Sequence, residues 1–248
     1  MDNDGDPVKY RKNKKQSKFI RAFKHRSQAL QLMLSKRQSI EELKEKGIWD
    51  HETVFGRPLK HLPIEMTTGL PEFVIICARK IEASKGAQGL YRINGDAASV
   101  QRLRLAVNQD DYQQLDISKD IHLLTSLFKL FFRELPEPLI SSEMRSKMSQ
   151  VVESHEEEGK KGQRLWSIVT STGEMEKEVL CFLFHHLFQV AMEPANMMDF
   201  RNLATVFGPT LLHSSAADDT KRPESMFSEM EQNNVMVELL IKHVNGLE

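Results

Sequence analysis

The chain has 248 residues, 40% of them hydrophobic, and balances 34 Lys and Arg against 35 Asp and Glu for a formal charge of −1, which is material for one large domain with its own buried core. No stretch approaches the roughly 20 uninterrupted apolar residues of a membrane span, and the opening MDNDGDPVKY has neither the apolar core nor the basic lead of a secretory signal. The two cysteines, Cys77 and Cys181, stand in apolar runs and read as buried free thiols, so a reducing, cytoplasmic setting is expected.

Charge is unevenly placed along the chain. Residues 1–37 carry eleven Lys and Arg against Asp2, Asp4 and Asp6, a surplus of +8 that leaves −9 on the remainder. A basic arm on an acidic body argues against nucleic acid as a partner of the folded part. Residues 1–27 read as a basic linker, for which two readings stand: a solvated connector, or a weak contact with anionic membrane in which Phe19, Ile20 and Phe23 sit among the charges.

From about Gln28 to Lys46 the pattern is helical, with Leu30, Leu34, Ile40 and Leu43 at turn spacing and Gly47 where a helix stops. A Gly- and Pro-rich strap, GIWDHETVFGRPLKHLPIEMTTGLP, follows. PEFVIICARKIEASKG then places Leu70, Phe73, Val74, Cys77 and Ile81 on one stripe, and a second stripe carries Val100, Leu103 and Val107. SKDIHLLTSLFKLFFRELPEP predicts a helix with Ile121, Leu124, Leu127, Phe128 and Phe131 inward, ended by Pro136 and Pro138. Further helices are predicted at about 141–153, 163–172, 174–192, 199–213 and 224–245, joined by polar loops such as HEEEGKK. No useful strand alternation appears, so the fold class is all-α.

Several chemistries find no support. The chain has no GxxxxGK[ST] phosphate loop, HExxH, CxxC or GxSxG. His185 and His186, on a strongly apolar helix, read as core or helix-surface histidines rather than metal ligands, so no metal site is expected. What remains is cationic. Lys129 and Arg133, four apart, share a helix face away from Leu124 and Phe128. Arg92, in the loop GLYRING at 89–95, adds a third cation. Either the three surround an anion brought by a partner, or each is separately paired or solvated.

GLYRING, LFKLFFRELPEPLI at 127–140 and NLATVFGPTLL at 202–212, in that order, resemble the three signature blocks of the RhoGAP domain, the activating module for Rho-family small GTPases. The resemblance covers residues 53–248, and TVFGRPL at 53–59 is similar to the subgroup whose GAP domain follows a pleckstrin-homology domain. It implies a multi-helix RhoGAP fold in which Arg92 is an arginine finger supplied in trans to a Rho- or Rac-class GTPase. Gly89 and Gly95 would let the finger loop turn and approach that partner. GTP and Mg²⁺ would be carried by the partner, so the chain itself needs no cofactor and hydrolyses nothing alone. By the same resemblance Arg133 would mainly hold the finger loop, Lys129 would mainly contact the partner, Asn202 would be structural, and Asn234 would lie near a second docking position. Thr210 stands where many members have asparagine, and Asn94 where serine is frequent. The alternative is a GAP-fold adaptor that binds GTPases or actin without catalysis.

Upstream, KRQSIEELKEKGIW at 36–49 is similar to the RPEL motif, a short helical segment that binds monomeric actin. Arg37, Glu42, Leu43 and Ile48 match its pattern, while Gln38 replaces its proline. Within 28–52 the other reading is a capped helix, with Ser39 as N-cap and Glu42 three residues on. An actin-linked protein of this kind would be recruited to the plasma membrane or the actin cytoskeleton.

Overall fold

The computed structural model describes residues 52–117, 120–212 and 223–247. Nine α-helices follow one another among these residues: α1 Glu72–Glu82, α2 Ala97–Asn108, α3 Gln113–Ile117, α4 Ile121–Arg133, α5 Ser142–Glu153, α6 Glu158–Thr170, α7 Glu174–Ala191, α8 Phe200–Leu211 and α9 Pro223–Lys242. Short 3-10 turns occupy Leu59–His61, Pro194–Asn196 and Val244–Leu247. The only β pairing among the described residues is an isolated bridge between Ile64 and Pro71, so the all-α class expected from the sequence holds. The linker 1–27, the RPEL-like segment apart from its last residue, Glu52, and the polar link 213–222 lie outside the described residues.

The helix that organises the site is α4. Its start is set by Asp120, whose side chain accepts the His122 N–H at 2.9 Å, an N-cap contact that satisfies one of the otherwise orphaned first-turn donors. Leu124, Leu127, Phe128, Phe131 and Phe132 are all buried, each stabilising the fold by about 1.5–3 kcal/mol relative to exposure. Ile121, expected inward, is only half-buried at the first turn. The aromatic residues interlock with the strap and with α1: Phe73 lies 5.2 Å from Phe55 and 5.1 Å from Phe131, centroid to centroid. On its other sides α4 packs against α2 and α8.

The strap is tied to α2 by polar contacts. Asn108 accepts the Val54 and Phe55 N–H groups on Oδ1 at 3.0 and 3.2 Å, and its carbonyl accepts the Thr53 hydroxyl at 2.8 Å. Arg104 pairs with Glu52 at 2.8 Å and with Glu134, just past α4, at 2.7 Å.

Two sequence expectations need correction. The run HEEEGKK read as loop, yet α6 already begins at Glu158 and contains Gly159 and Gly162. Gly162 is there for space: a Cβ would sit 2.4 Å from the His243 ring, so packing overrides its poor helix propensity. Cys181, expected to be buried, is only half-buried, whereas Cys77 is fully enclosed. Burial pushes the Cys77 thiol far above its ordinary range, which makes it inert.

Candidate functional site

The loop between α1 and α2 is built around a turn. Gly89 adopts φ +69°, a conformation open to glycine, and its carbonyl accepts both the Arg92 N–H at 3.0 Å and the Ile93 N–H at 2.9 Å. Tyr91 also has positive φ, +66°, which side-chain-bearing residues rarely adopt and which costs about 1–2 kcal/mol. The surrounding structure must therefore hold it there.

Several elements do so. The Gly89 N–H donates to the Asn196 carbonyl at 2.8 Å. The Lys129 ammonium donates to the Tyr91 carbonyl at 2.6 Å and to Asn94 Oδ1 at 3.1 Å. The Gly95 N–H donates to the Ser126 hydroxyl at 2.9 Å. Asp96 then closes the loop by capping α2, accepting from the Ser99 N–H at 2.8 Å. The Tyr91 ring is wholly buried, 5.0 Å from the Phe207 ring and 6.1 Å from Phe128. Thus α4 and α8 grip residue 91, while the side chain of Arg92, the next residue, is exposed and forms no hydrogen bond or ion pair with another described residue. Beside it Ile93 is also exposed.

Next to the loop lies an open groove of about 480 Å³ whose lining includes Asn94, Ser126, Lys129, Arg133, Pro209 and Thr210. Burial lowers the pKa of Lys129, and the neighbouring Arg133 cation lowers it further. An anion entering the groove would relieve the repulsion. The Arg133 side chain is exposed and has no hydrogen bond or ion pair with another described residue.

The geometry departs from the division of labour expected for the two cations within the chain. Lys129 is the residue hydrogen bonded to the loop, and Arg133 is the one left free, because Lys129 lies one helical turn nearer the loop on α4. Gly95 also has a different reason from the expected one. A Cβ there would lie 2.7 Å from the Leu123 Cα and 2.9 Å from the His122 carbonyl oxygen, so its smallness serves contact with α4 of the same chain.

The remaining expected residues divide. Thr210 lines the groove but is buried, with its hydroxyl donated to the Val206 carbonyl at 3.2 Å. Asn202 sits in the first turn of α8, where its backbone N–H donates to the Asp199 cap at 2.7 Å. Asn234 is not in the groove: its Oδ1 is buried without a hydrogen-bond partner, 2.5 Å from where a Cβ on Gly208 would stand. That contact lets α8 and α9 approach closely.

Two features were not legible in the sequence. Asn196 is a buried hub: its Nδ2 donates to the Lys85 and Val190 carbonyls, both at 2.8 Å, and its Oδ1 accepts the Met198 N–H at 2.8 Å. No motif marks it, since its partners are all backbone groups, one of them on the distant segment at Lys85. The other is the contact of Tyr91 with His186 at 2.6 Å, between residues that nothing in the sequence pairs.

Comparison with known proteins gives this geometry its relatives. The RhoGAP domain family model matches residues 71–216. The chain is 34% identical over 218 residues to human Rho GTPase-activating protein 27, covering 86% of this chain and 24% of that protein. It is 32% identical over 226 residues to Rho GTPase-activating protein 15 of Gallus gallus, covering 88% and 45% respectively. Among solved structures, the crystal structure of human Rho GTPase activating protein 15 superposes with a TM-score of 0.72 at 30% identity, over 84% of this chain and 97% of that one. The chain spans less than half the length of these two curated relatives.

Proposed function

Since the chain belongs to the RhoGAP domain family, we propose that it accelerates GTP hydrolysis by a Rho-family small GTPase, of Rho or Rac class, with Arg92 as the finger supplied in trans. The observation that carries the proposal is an exposed arginine without a partner among the described residues, on a turn whose neighbouring residues are fixed by several helices. Phosphoryl transfer passes through a loose transition state in which negative charge spreads over the transferred group and the leaving oxygen. A guanidinium placed there lowers the barrier because it is aimed where charge develops and is already oriented. Its rigid planar fork makes two hydrogen bonds to phosphate oxygens at once, which an ammonium does not. Fingers of this kind supply about 10³–10⁵ in rate.

In this reading GTP, Mg²⁺ and the attacking water belong to the partner, and the chain contributes no general base. Lys129 keeps the finger loop in register, and Arg133, free at the edge of the groove, meets acidic or phosphate groups of the partner. Asn202 and Asn234 then act from within the fold.

The upstream residues extend the proposal. Arg37, Glu42, Leu43 and Ile48 bind monomeric actin in an RPEL-like manner, linking the actin monomer pool to GTPase signalling at the cytoskeleton or plasma membrane. Residues 1–27 form the basic connection to a preceding pleckstrin-homology domain. Anisotropy titration of a labelled 28–52 peptide with latrunculin-bound actin tests the first of these, and a flat titration removes it. The core reading is tested by phosphate release from GTP-loaded Rho- and Rac-class proteins mixed with the chain. Acceleration of either supports it; binding without acceleration identifies an adaptor.

A further inference from the structure

Behind the finger loop three polar side chains stand in a row, contributed by the loop, α7 and α1. The Tyr91 hydroxyl lies 2.6 Å from His186 Nε2, and His186 Nδ1 lies 2.7 Å from the Glu82 carboxylate. Tyr91 and His186 are buried, while Glu82, the last residue of α1, keeps its carboxylate partly in solvent. The proton order follows from the donors present. An ionised carboxylate only accepts, so His186 Nδ1–H donates to Glu82. In the neutral imidazole Nε2 is then the acceptor for the Tyr91 O–H.

We propose that His186, oriented by Glu82, is a positioning residue for the finger: by holding the Tyr91 phenol it fixes the direction in which Arg92 leaves the loop. The inference rests on the reading of Arg92 as a finger.

The hydroxyl is not needed for packing. Phe207 and Phe128 already enclose the Tyr91 ring, and phenylalanine would bury the same surface without requiring a polar partner in the core. What the hydroxyl adds is orientation. Residue 91 is held at its carbonyl by Lys129 and at its far tip by His186, so its positive φ is clamped from both ends. Without the tip contact the backbone can relax toward negative φ, which turns the following Cα–Cβ bond and redirects the Arg92 side chain. His186 itself cannot tilt freely: its ring packs 5.6 Å from Phe128 and its Nδ1 is taken by Glu82.

The test uses the full chain with Tyr91→Phe, His186→Leu and His186→Gln. Amide hydrogen exchange is followed at Arg92 and Ile93, whose N–H groups are bonded to Gly89. Exchange at these two sites should quicken about tenfold in Tyr91→Phe and His186→Leu, with core amides of α8 and α9 unchanged. His186→Gln, which keeps an acceptor toward the phenol, should restore most of the protection. In single-turnover hydrolysis at saturating chain, the first two variants should lose about tenfold in rate at unchanged half-saturating concentration. Unchanged exchange at residues 92 and 93 overturns the proposal, as does exchange rising equally throughout the chain. A hydrolysis defect carried entirely by weaker binding also overturns it. Failure of the wild-type chain to accelerate any GTPase removes the proposed function instead, and the exchange result still decides whether His186 holds the loop.

Discussion

The Lys129 ammonium donates to the backbone carbonyl of Tyr91 at 2.6 Å, immediately before the free Arg92. A cation that faces the groove is thus committed to the chain's own loop, four residues from Arg133, which has no such tie. Removing Lys129 leaves the Tyr91 carbonyl without that donor and releases Asn94, whereas removing Arg133 disturbs nothing inside the fold. Lys129→Met is therefore expected to lower the single-turnover rate about 10- to 100-fold with affinity changed less than about threefold. Arg133→Ala is expected to weaken binding about tenfold, with a loss that shrinks as salt rises. Rates and affinities measured at two ionic strengths distinguish the pair, and the opposite pattern returns Lys129 to the interface.

Gly95 is tied to α4 by its N–H on Ser126 and by the absence of a Cβ. Gly95→Ala forces a methyl against the backbone of residues 122 and 123, which cannot rotate away as a side-chain tip would. The expected cost is about 1–3 kcal/mol of stability, with a larger loss of GTPase acceleration because the finger loop is pushed off α4. Chemical denaturation combined with phosphate-release kinetics checks both effects. A variant of wild-type stability and activity would show that the loop does not depend on this contact.

How much of this was legible beforehand depends on the kind of signal. The stripe through Leu124, Phe128 and Phe131 predicts α4 because burial repeats at helical spacing, and Pro136 and Pro138 mark its end. The cation pair at 129 and 133 is legible as a shared face. Which cation serves the loop is not, because that depends on the height of Tyr91 along α4, a tertiary distance. The reason for Gly162 is hidden in a similar way: its value lies in the space it leaves for His243, eighty-one residues away in sequence. The bond of Asn196 to Lys85 and the contacts of His186 with Tyr91 and Glu82 are invisible for the same cause, since these partners come together only once α1, α7 and the loops are packed.

Asn196 offers a stability test away from the groove. Asn196→Ala removes the donor to two carbonyls and the acceptor for the Met198 N–H, in a residue with no exposed surface. Buried polar groups left unpaired should cost about 2–4 kcal/mol. The Gly89 N–H contact, made by the backbone of residue 196, shifts with it. Urea unfolding measures the loss, and a change below about 0.5 kcal/mol would mean that water replaces the side chain without cost.

Glu82 supplies a pH signature. The hydrogen bond from His186 lowers its carboxyl pKa below the ordinary 4.5, against a smaller opposing effect of burial. Its contribution to stability is therefore present above the ordinary carboxylate range and is lost as pH falls through the lower, folded-state value. Glu82→Gln keeps an acceptor for His186 but removes the charge. The variant should be less stable than wild type at about pH 6, and the difference should shrink as the pH falls below 4.5. Denaturation midpoints across this range check the sign; a gap that widens on acidification contradicts it.

The most direct measurement is single-turnover GTP hydrolysis by Rho- and Rac-class GTPases at saturating concentrations of the wild-type chain, Arg92→Ala and Arg92→Lys, with affinity for the GTP-loaded partner measured in parallel. The expected result is acceleration of at least one partner by wild type, a loss of about 10³-fold or more in both variants, and affinity preserved. Acceleration that survives Arg92→Ala would contradict the assignment of Arg92 as the finger.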